Sequence, residues 1–299
     1  MCSVEPIFLF SQPRAGSTLL QRILAAHPEV HTAAEPWILL PLFYALREGG
    51  AVTEYGQPLS AQAIGEFCAP MPRGIEEYRD AARGMAMDLY ARAAPEGARY
   101  FLDKTPRYYF IAGDIVRSFG DAKFVFLWRQ PLASAASMIA RWGRDRWSVY
   151  TTHHDLYTAP RRLAAARAEA GDRALDVRYE DLVTEPEATV DRLIMYLGLD
   201  ADGPTREAMV HGFSGVELSG SMGDPTGRKA YDTLNTEPLE KWKSAVTNGV
   251  RKRWCLRYLD ELGDELVASM GYDAGVLRDE IGALHVGMRG SARDWFRLK

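Results

Sequence analysis

Short apolar runs and helical periodicity alternate along the chain. Ile7-Phe8-Leu9-Phe10 is continuously apolar and ends in Ser11-Gln12-Pro13, as expected of a strand buried on both faces of a parallel sheet. A helix follows at once, with Leu19, Leu20, Ile23 and Leu24 on one face and His27-Pro28 as its stop. Tyr100-Phe101-Leu102 and the run from Phe124 to Trp128 predict two further strands, and Pro131 opens an Ala-rich helix to about Trp142. Leu175 to Tyr179 predicts a fourth strand. Thr184-Glu185-Pro186-Glu187 then has capping-box spacing with Pro in the first turn. The helix behind it carries Val190, Leu193, Ile194 and Leu197 and stops at Gly198. Strand followed by helix, repeated, predicts an α/β fold with a central, mainly parallel sheet flanked by helices. Residues 36–98 are helical and irregular, rich in Pro, Gly and aromatics, and are expected to form an insertion or cap within one domain spanning 1–299. The aromatic segment from Trp142 to Arg162 is expected to be a mobile lid, and Gly212 to Asn235 a loop.

Composition narrows the class. The 299 residues are 47% apolar and 25% charged, enough for a sizeable core. Lys and Arg number 36 against 40 Asp and Glu, a net of −4, which argues against a nucleic-acid partner. Cys2, Cys68 and Cys255 are widely separated, so neither a disulfide framework nor a metal site is expected. The longest apolar run, Trp37 to Leu46, is broken by Pro41 and falls short of the ~18 residues of a membrane span. No basic stretch leads into an apolar one at the N-terminus. These features predict a cytoplasmic protein with no membrane partner.

The segment Pro13-Arg14-Ala15-Gly16-Ser17-Thr18 lies between a buried strand and a helix. Helix N-termini present unpartnered N–H groups and a favourable dipole to anions. Gly16 permits close backbone approach, Ser17 and Thr18 add hydroxyls, and Arg14 adds a charged donor. The bland alternative is a strand-to-helix turn with Ser/Thr capping. The sequence is not a Walker A motif, which places Lys where Ser17 stands. A nucleoside-triphosphate enzyme also wants a metal-holding Asp at a neighbouring strand end, whereas the strand from Phe124 ends in Arg129. Two anion sites therefore suggest a nucleotide with phosphate at both ends. A P-loop-type kinase using ATP and Mg, and a non-catalytic nucleotide binder, stay as alternatives.

PRAGSTLL at 13–20 resembles the 5′-phosphosulfate loop of sulfotransferases that use 3′-phosphoadenosine-5′-phosphosulfate (PAPS). Arg129, with Ser137 following in RQPLASAAS, resembles their 3′-phosphate signature. HPEVHTAAEP at 27–36, DKTPRYY at 103–109 and VRYEDLVTEPEATVDRLIMYLGL at 177–199 are similar to segments of tyrosylprotein sulfotransferases and related bacterial enzymes. The resemblance implies a P-loop-like sulfotransferase fold. It also implies transfer from PAPS to a hydroxyl, or secondarily an amine, leaving 3′,5′-adenosine bisphosphate; the aromatic residues near the site suit a small-molecule acceptor, with a peptide tyrosine, a sugar or a lipid hydroxyl as alternatives. Arg14, Ala15, Gly16, Ser17, Thr18 and Leu19 would hold the phosphosulfate, and Arg129 and Ser137 the 3′-phosphate. Tyr179 would lie near the nucleotide or in the core, and Arg228 and Lys229 in a loop that closes over the cofactor. From Gly227 to Tyr258 eight Lys/Arg face three Asp/Glu, a local net of +5.

The catalytic set implied is Glu35, Lys104 and Arg14. Glu35 matches the family's Glu and borders the apolar run from Trp37, a setting that strengthens a carboxylate as a general base. Lys104 would stabilise charge on the leaving oxygen. The bland alternatives are a surface acid or an ion-pair partner of Arg14 for Glu35, and a strand-end salt bridge for Lys104. His153 and His154 are the runner-up bases, because another branch of the family uses histidine; His27, His31, His211 and His285 have no supporting context. Trp37, Phe43, Tyr44, Tyr108, Tyr109, Trp142, Trp147 and Tyr150 are candidates for an acceptor pocket, with the core as their alternative.

Overall fold

A computed structural model of the protein describes residues 4–143, 147–219, 222, 234–288 and 290–298. Its sheet holds β1 (Glu5–Ser11), β2 (Val30–Thr32), β3 (Tyr100–Asp103), β4 (Lys123–Trp128) and β5 (Ala174–Arg178), in the order β2-β3-β1-β4-β5, with every pairing parallel. Helices cover both faces, which is why β1 reads as a continuous apolar run. The period of two sorts its residues. Phe8 and Phe10 face one side, where Phe10 lies 6.0 Å from Phe124 and 5.1 Å from Phe126 between ring centroids. Ile7 and Leu9 face the other side with Val125 and Leu127.

The described helices are α1 (Ser17–Ala25), α2 (Leu39–Tyr44), α3 (Gln57–Cys68), α4 (Ile75–Ala93), α5 (Ala112–Ser118), α6 (Pro131–Trp142), α7 (Ala159–Ala170), α8 (Tyr179–Thr184), α9 (Pro186–Leu197) and α10 (Gly203–His211). Beyond them come α11 (Glu237–Ala245), α12 (Gly249–Leu262), α13 (Asp264–Ser269), α14 (Ala274–Ala283) and α15 (Ser291–Arg297). α1, α8, α9 and α10 pack on the Ile7 face. The aromatic face is covered by α5, α6, α7 and α12, together with Phe43 of α2 and Tyr90 of α4. The 36–98 segment is tied down by charge as well. Asp114 of α5 accepts Arg47 at 2.7 Å and Arg79 at 2.9 Å, and Arg117 joins at 3.0 Å. Among the described residues no helix is long and apolar enough to cross a membrane.

Four expectations change. β2 is a three-residue strand that the apolar pattern did not reveal. β5 ends at Arg178, and Tyr179 opens α8. The capping box does not form: the Thr184 hydroxyl donates to the Glu180 carbonyl at 2.9 Å within α8, and Glu185 is the N-cap of α9 without a side-chain cap bond. The described part of the expected lid is partly packed into the core. Trp147, Leu156 and Tyr157 are buried in the aromatic-face core, and a π-helical turn spans His154–Thr158.

Candidate active site

Because all strands are parallel, their C-terminal ends share one edge, where open α/β sheets bind ligands. Read in sheet order, that edge presents Glu35 after β2, Lys104 after β3, the 13–18 turn after β1, Arg129 after β4 and Tyr179 after β5. A cavity of about 300 Å³ opens there, lined by Pro13, Arg14, Gly16, Ser17, Thr18, Glu35, Trp37, Pro106, Arg107, Arg129, Arg141, Trp142 and Met222. Four of these are Arg, and Glu35 is the one acid among them. Clustered positive charge in a concave site attracts an anion.

The turn is built by two left-handed residues, Arg14 at φ 67° and Gly16 at φ 98°. Gly16 caps α1 and is forced by contact as well as by φ: a Cβ there would stand 2.4 Å from Cδ2 of Tyr179. Ser17 and Thr18 open the helix, where N–H groups lack intrahelical acceptors, and both residues line the cavity. Ala15 and Leu19 do not reach it. Their side chains are buried, the Ala15 N–H donates to Gln12, and the Leu19 N–H to Gly16. They shape the turn.

Arg129 is buried on the ring of Tyr179, its guanidinium carbon 4.4 Å from the centroid. Its Nη1 donates to the Arg14 carbonyl at 2.9 Å and Nη2 to the Pro238 carbonyl at 3.0 Å, while Nε has no hydrogen-bond partner among the described residues. Gln130 N donates to Glu180, which fixes the start of α6. Ser137 accepts from Nε of Arg14 at 3.3 Å. One turn on, Arg141 shares that helix face and lines the cavity; the i+4 spacing from Ser137 was the available signal for it. Tyr179 is buried beneath the turn and supports it. Arg228 and Lys229 lie outside the described residues.

At the other end, Glu35 pairs with Lys104, not with Arg14: Nζ lies 3.0 Å from Oε1. The Trp37 indole donates to Oε2 at 3.1 Å. The expected apolar wall is thus replaced by an ammonium and an indole N–H. Lys104 is buried and Glu35 nearly so, with side chains 2% and 10% exposed. Behind them Asp103 accepts the hydroxyls of Tyr90 at 2.5 Å, Tyr108 at 3.1 Å and Thr105 at 3.3 Å. Burial pushes its carboxyl up to about 6, against the pull of those hydrogen bonds and of Lys104. No spacing rule pointed to this cluster, since Tyr90 arrives from α4. Asp155 is also buried, and burial raises its carboxyl above the ordinary range against the Tyr109 hydroxyl and Arg107.

Among the described residues no histidine lines the cavity. His153 and His154 are exposed outside it. His27 is structural: its Nδ1 accepts the Glu29 N–H and its Nε2 contacts the Asp200 carbonyl. Of the aromatics expected in a pocket, Trp37 and Trp142 line the cavity. Phe43, Tyr108, Tyr109 and Trp147 are core, Tyr44 packs against that core, and Tyr150 is exposed.

A model of the sulfotransferase family matches residues 6–203. The nodulation protein NoeE of Sinorhizobium fredii is 29% identical over 294 residues, covering 89% of this chain and 65% of that protein. Protein-tyrosine sulfotransferase 1 of Danio rerio is 24% identical over 277 residues, covering 89% and 72%. The chain therefore spans about two thirds of the length of these two relatives. The sulfotransferase domain of the Synechococcus PCC 7002 olefin synthase shares the fold, with TM-score 0.56 at 24% identity over 91% of this chain and 97% of that domain. The family model covers well over half of the sequence, including β1, the phosphate turn and β4, and on that match the chain belongs to the sulfotransferase family.

Proposed function

We propose that the protein transfers a sulfuryl group from PAPS to a hydroxyl, or secondarily an amine, of a small-molecule acceptor, with Glu35 as general base. The observation that carries this is the order of groups along the sheet edge. The Glu35–Lys104 pair and Arg129 lie on opposite sides of the 13–18 turn. Lys104 and Arg129 follow β3 and β4, which are two strand spacings apart, about 10 Å, a separation that suits a nucleotide with phosphate at both ends.

The residues fit that cofactor. A buried Arg129 Nε without a partner among the described residues is costly unless an acceptor arrives, and the cavity supplies room for one. Arg14, the Gly16–Thr18 N–H groups and the two hydroxyls would hold the 5′ end. Arg129, Ser137 and Arg141 would hold the 3′-phosphate. When bound, PAPS supplies the sulfuryl group and departs as 3′,5′-adenosine bisphosphate. Glu35 takes the acceptor's proton on its carboxylate, whose Oε2 the Trp37 indole N–H orients and whose Oε1 Lys104 Nζ orients. Lys104 keeps positive charge next to the phosphate turn, and its burial excludes water from that charge. Asp103, the acid at the end of β3, has both oxygens occupied by hydroxyls, so the strand-end carboxylate that a Mg-dependent kinase needs is engaged elsewhere.

The test follows bisphosphate release from PAPS across aromatic and aliphatic alcohols, amines and tyrosine peptides, in the native protein and in Glu35→Gln. A small hydroxylic acceptor should support turnover, and Glu35→Gln should lower it by ~10²–10⁴-fold with bisphosphate binding retained. Turnover with peptides alone overturns the small-molecule acceptor. Near-normal turnover in Glu35→Gln overturns the base assignment.

A further inference from the structure

We propose that Asp103 is a positioning residue: through the hydroxyls of Thr105 and Tyr108 it fixes the backbone from Trp37 to Leu39 and so holds Glu35 against Lys104. The inference rests on the reading that Glu35 moves the acceptor's proton.

A carboxylate accepts hydrogen bonds and donates none. Tyr108 and Thr105 both give their hydroxyl hydrogens to Asp103, at 3.1 and 3.3 Å. Each oxygen is left as an acceptor only. The Tyr108 oxygen takes the Leu39 N–H at 3.3 Å, and the Thr105 oxygen takes the Trp37 N–H at 3.4 Å. Between them lies Trp37 at φ 59°, a left-handed backbone that a residue with a large side chain rarely adopts. That conformation needs outside support, and these two bonds provide it.

The consequence reaches the base. The Trp37 indole orients one oxygen of Glu35 and Lys104 the other. Lys104 is the chain neighbour of Asp103, and Trp37 hangs from Thr105. Both contacts that aim Glu35 therefore trace back to the buried acid. Tyr90 touches the same carboxylate from α4 at 2.5 Å and makes no hydrogen bond to the Trp37–Leu39 backbone. It separates support of Asp103 from support of the active-site segment.

The experiment uses Thr105→Val, Tyr108→Phe, Asp103→Asn and the control Tyr90→Phe, each with and without Glu35→Gln. In the ligand-free protein, Thr105→Val and Tyr108→Phe should speed hydrogen exchange at the Trp37 and Leu39 amides. They should lower kcat by about 10- to 100-fold, the scale of a small misplacement of a catalytic group, and leave bisphosphate affinity intact. Thr105→Ser should recover most of the loss. In the Glu35→Gln background neither should add a further loss, because both act through the same carboxylate. Tyr90→Phe, which removes a bond to Asp103 and none to the Trp37–Leu39 backbone, should lower Tm and reduce kcat less than either of the other two. Should Asp103→Asn fail to fold, the Thr105 and Tyr108 variants carry the test. Normal kcat in both of these, with Glu35→Gln crippled, overturns this inference and leaves the base assignment standing. Normal turnover in Glu35→Gln overturns the base assignment itself. Equal losses of kcat and bisphosphate affinity show a general structural role and also overturn the inference.

Discussion

Gly16→Ala tests how the phosphate turn is built. Gly16 sits at φ 98°, and an added Cβ would lie 2.4 and 2.6 Å from Cδ2 and Cε2 of Tyr179. That ring is buried and carries the Arg129 guanidinium at 4.4 Å, so it cannot swing aside without disturbing the arginine. Overpacking of this kind costs ~1–3 kcal/mol. A left-handed non-glycine residue adds ~1–3 kcal/mol. Unfolding entropy of about 2.1 cal/mol/K per residue gives about 0.6 kcal/mol/K for 299 residues, so the combined ~2–6 kcal/mol predicts a Tm drop of roughly 3–10 °C. Calorimetric titration should show weaker bisphosphate binding in the same variant, because Arg129 moves with the ring. Tyr179→Leu should relieve part of the clash, so Gly16→Ala costs less in that background, by ~0.5–3 kcal/mol. A Gly16→Ala protein that melts within about 1 °C of the native one, with unchanged bisphosphate affinity, would refute the contact.

Arg129→Ala should weaken the bisphosphate by ~1.5–3 kcal/mol, the scale for hydrogen bonds to a charged group; equal loss for adenosine 5′-phosphosulfate, which lacks the 3′-phosphate, contradicts the assignment. Asp114→Asn should cost ~1.5–3 kcal/mol in denaturant unfolding, because it loosens Arg47 and Arg79 of the 36–98 segment. Burial opposes ionisation of Asp114, but the Arg79 and Arg47 hydrogen bonds win and hold its carboxyl below the ordinary value. Its contribution is therefore present above pH ~3.9 and lost as pH falls below it, and a variant with the native acid limb refutes this. Asp103 has the opposite sign. Its folded value of about 6 exceeds the ~3.9 of an unfolded chain, so the native state binds the extra proton and stability falls as pH rises from about 4 to 6. Asp103→Asn should remove that slope, and an unchanged slope counts against it.

What was legible in the sequence was local. β1, β4, α6 and the 13–18 turn each declare themselves within one window, because a strand buried on both faces is apolar throughout and a helix repeats its own face. Arg129 was legible as a cation at the binding edge because it stands at the end of β4. What failed depended on partners distant in sequence. β2 has three residues, too few for any periodicity, yet it positions Glu35. The Thr184 hydroxyl had two acceptable partners, and α8 took it. Most of the aromatics near the site went to the sheet face, where Phe8, Phe10, Phe124 and Phe126 already form an apolar surface. The Asp103 cluster joins α4, β3 and the segment after β3, and its ligands share no spacing that a sequence window could detect.

Calorimetric titration of the native protein with 3′,5′-adenosine bisphosphate, ATP, and ATP with Mg²⁺ tests the cofactor assignment most directly. Arg129, Ser137 and Arg141 on one side of the turn, and Arg14 with the α1 N-terminus at its centre, predict that the bisphosphate binds without any metal and more tightly than ATP. Binding of ATP only in the presence of Mg²⁺, with no heat from the bisphosphate, would contradict the assignment.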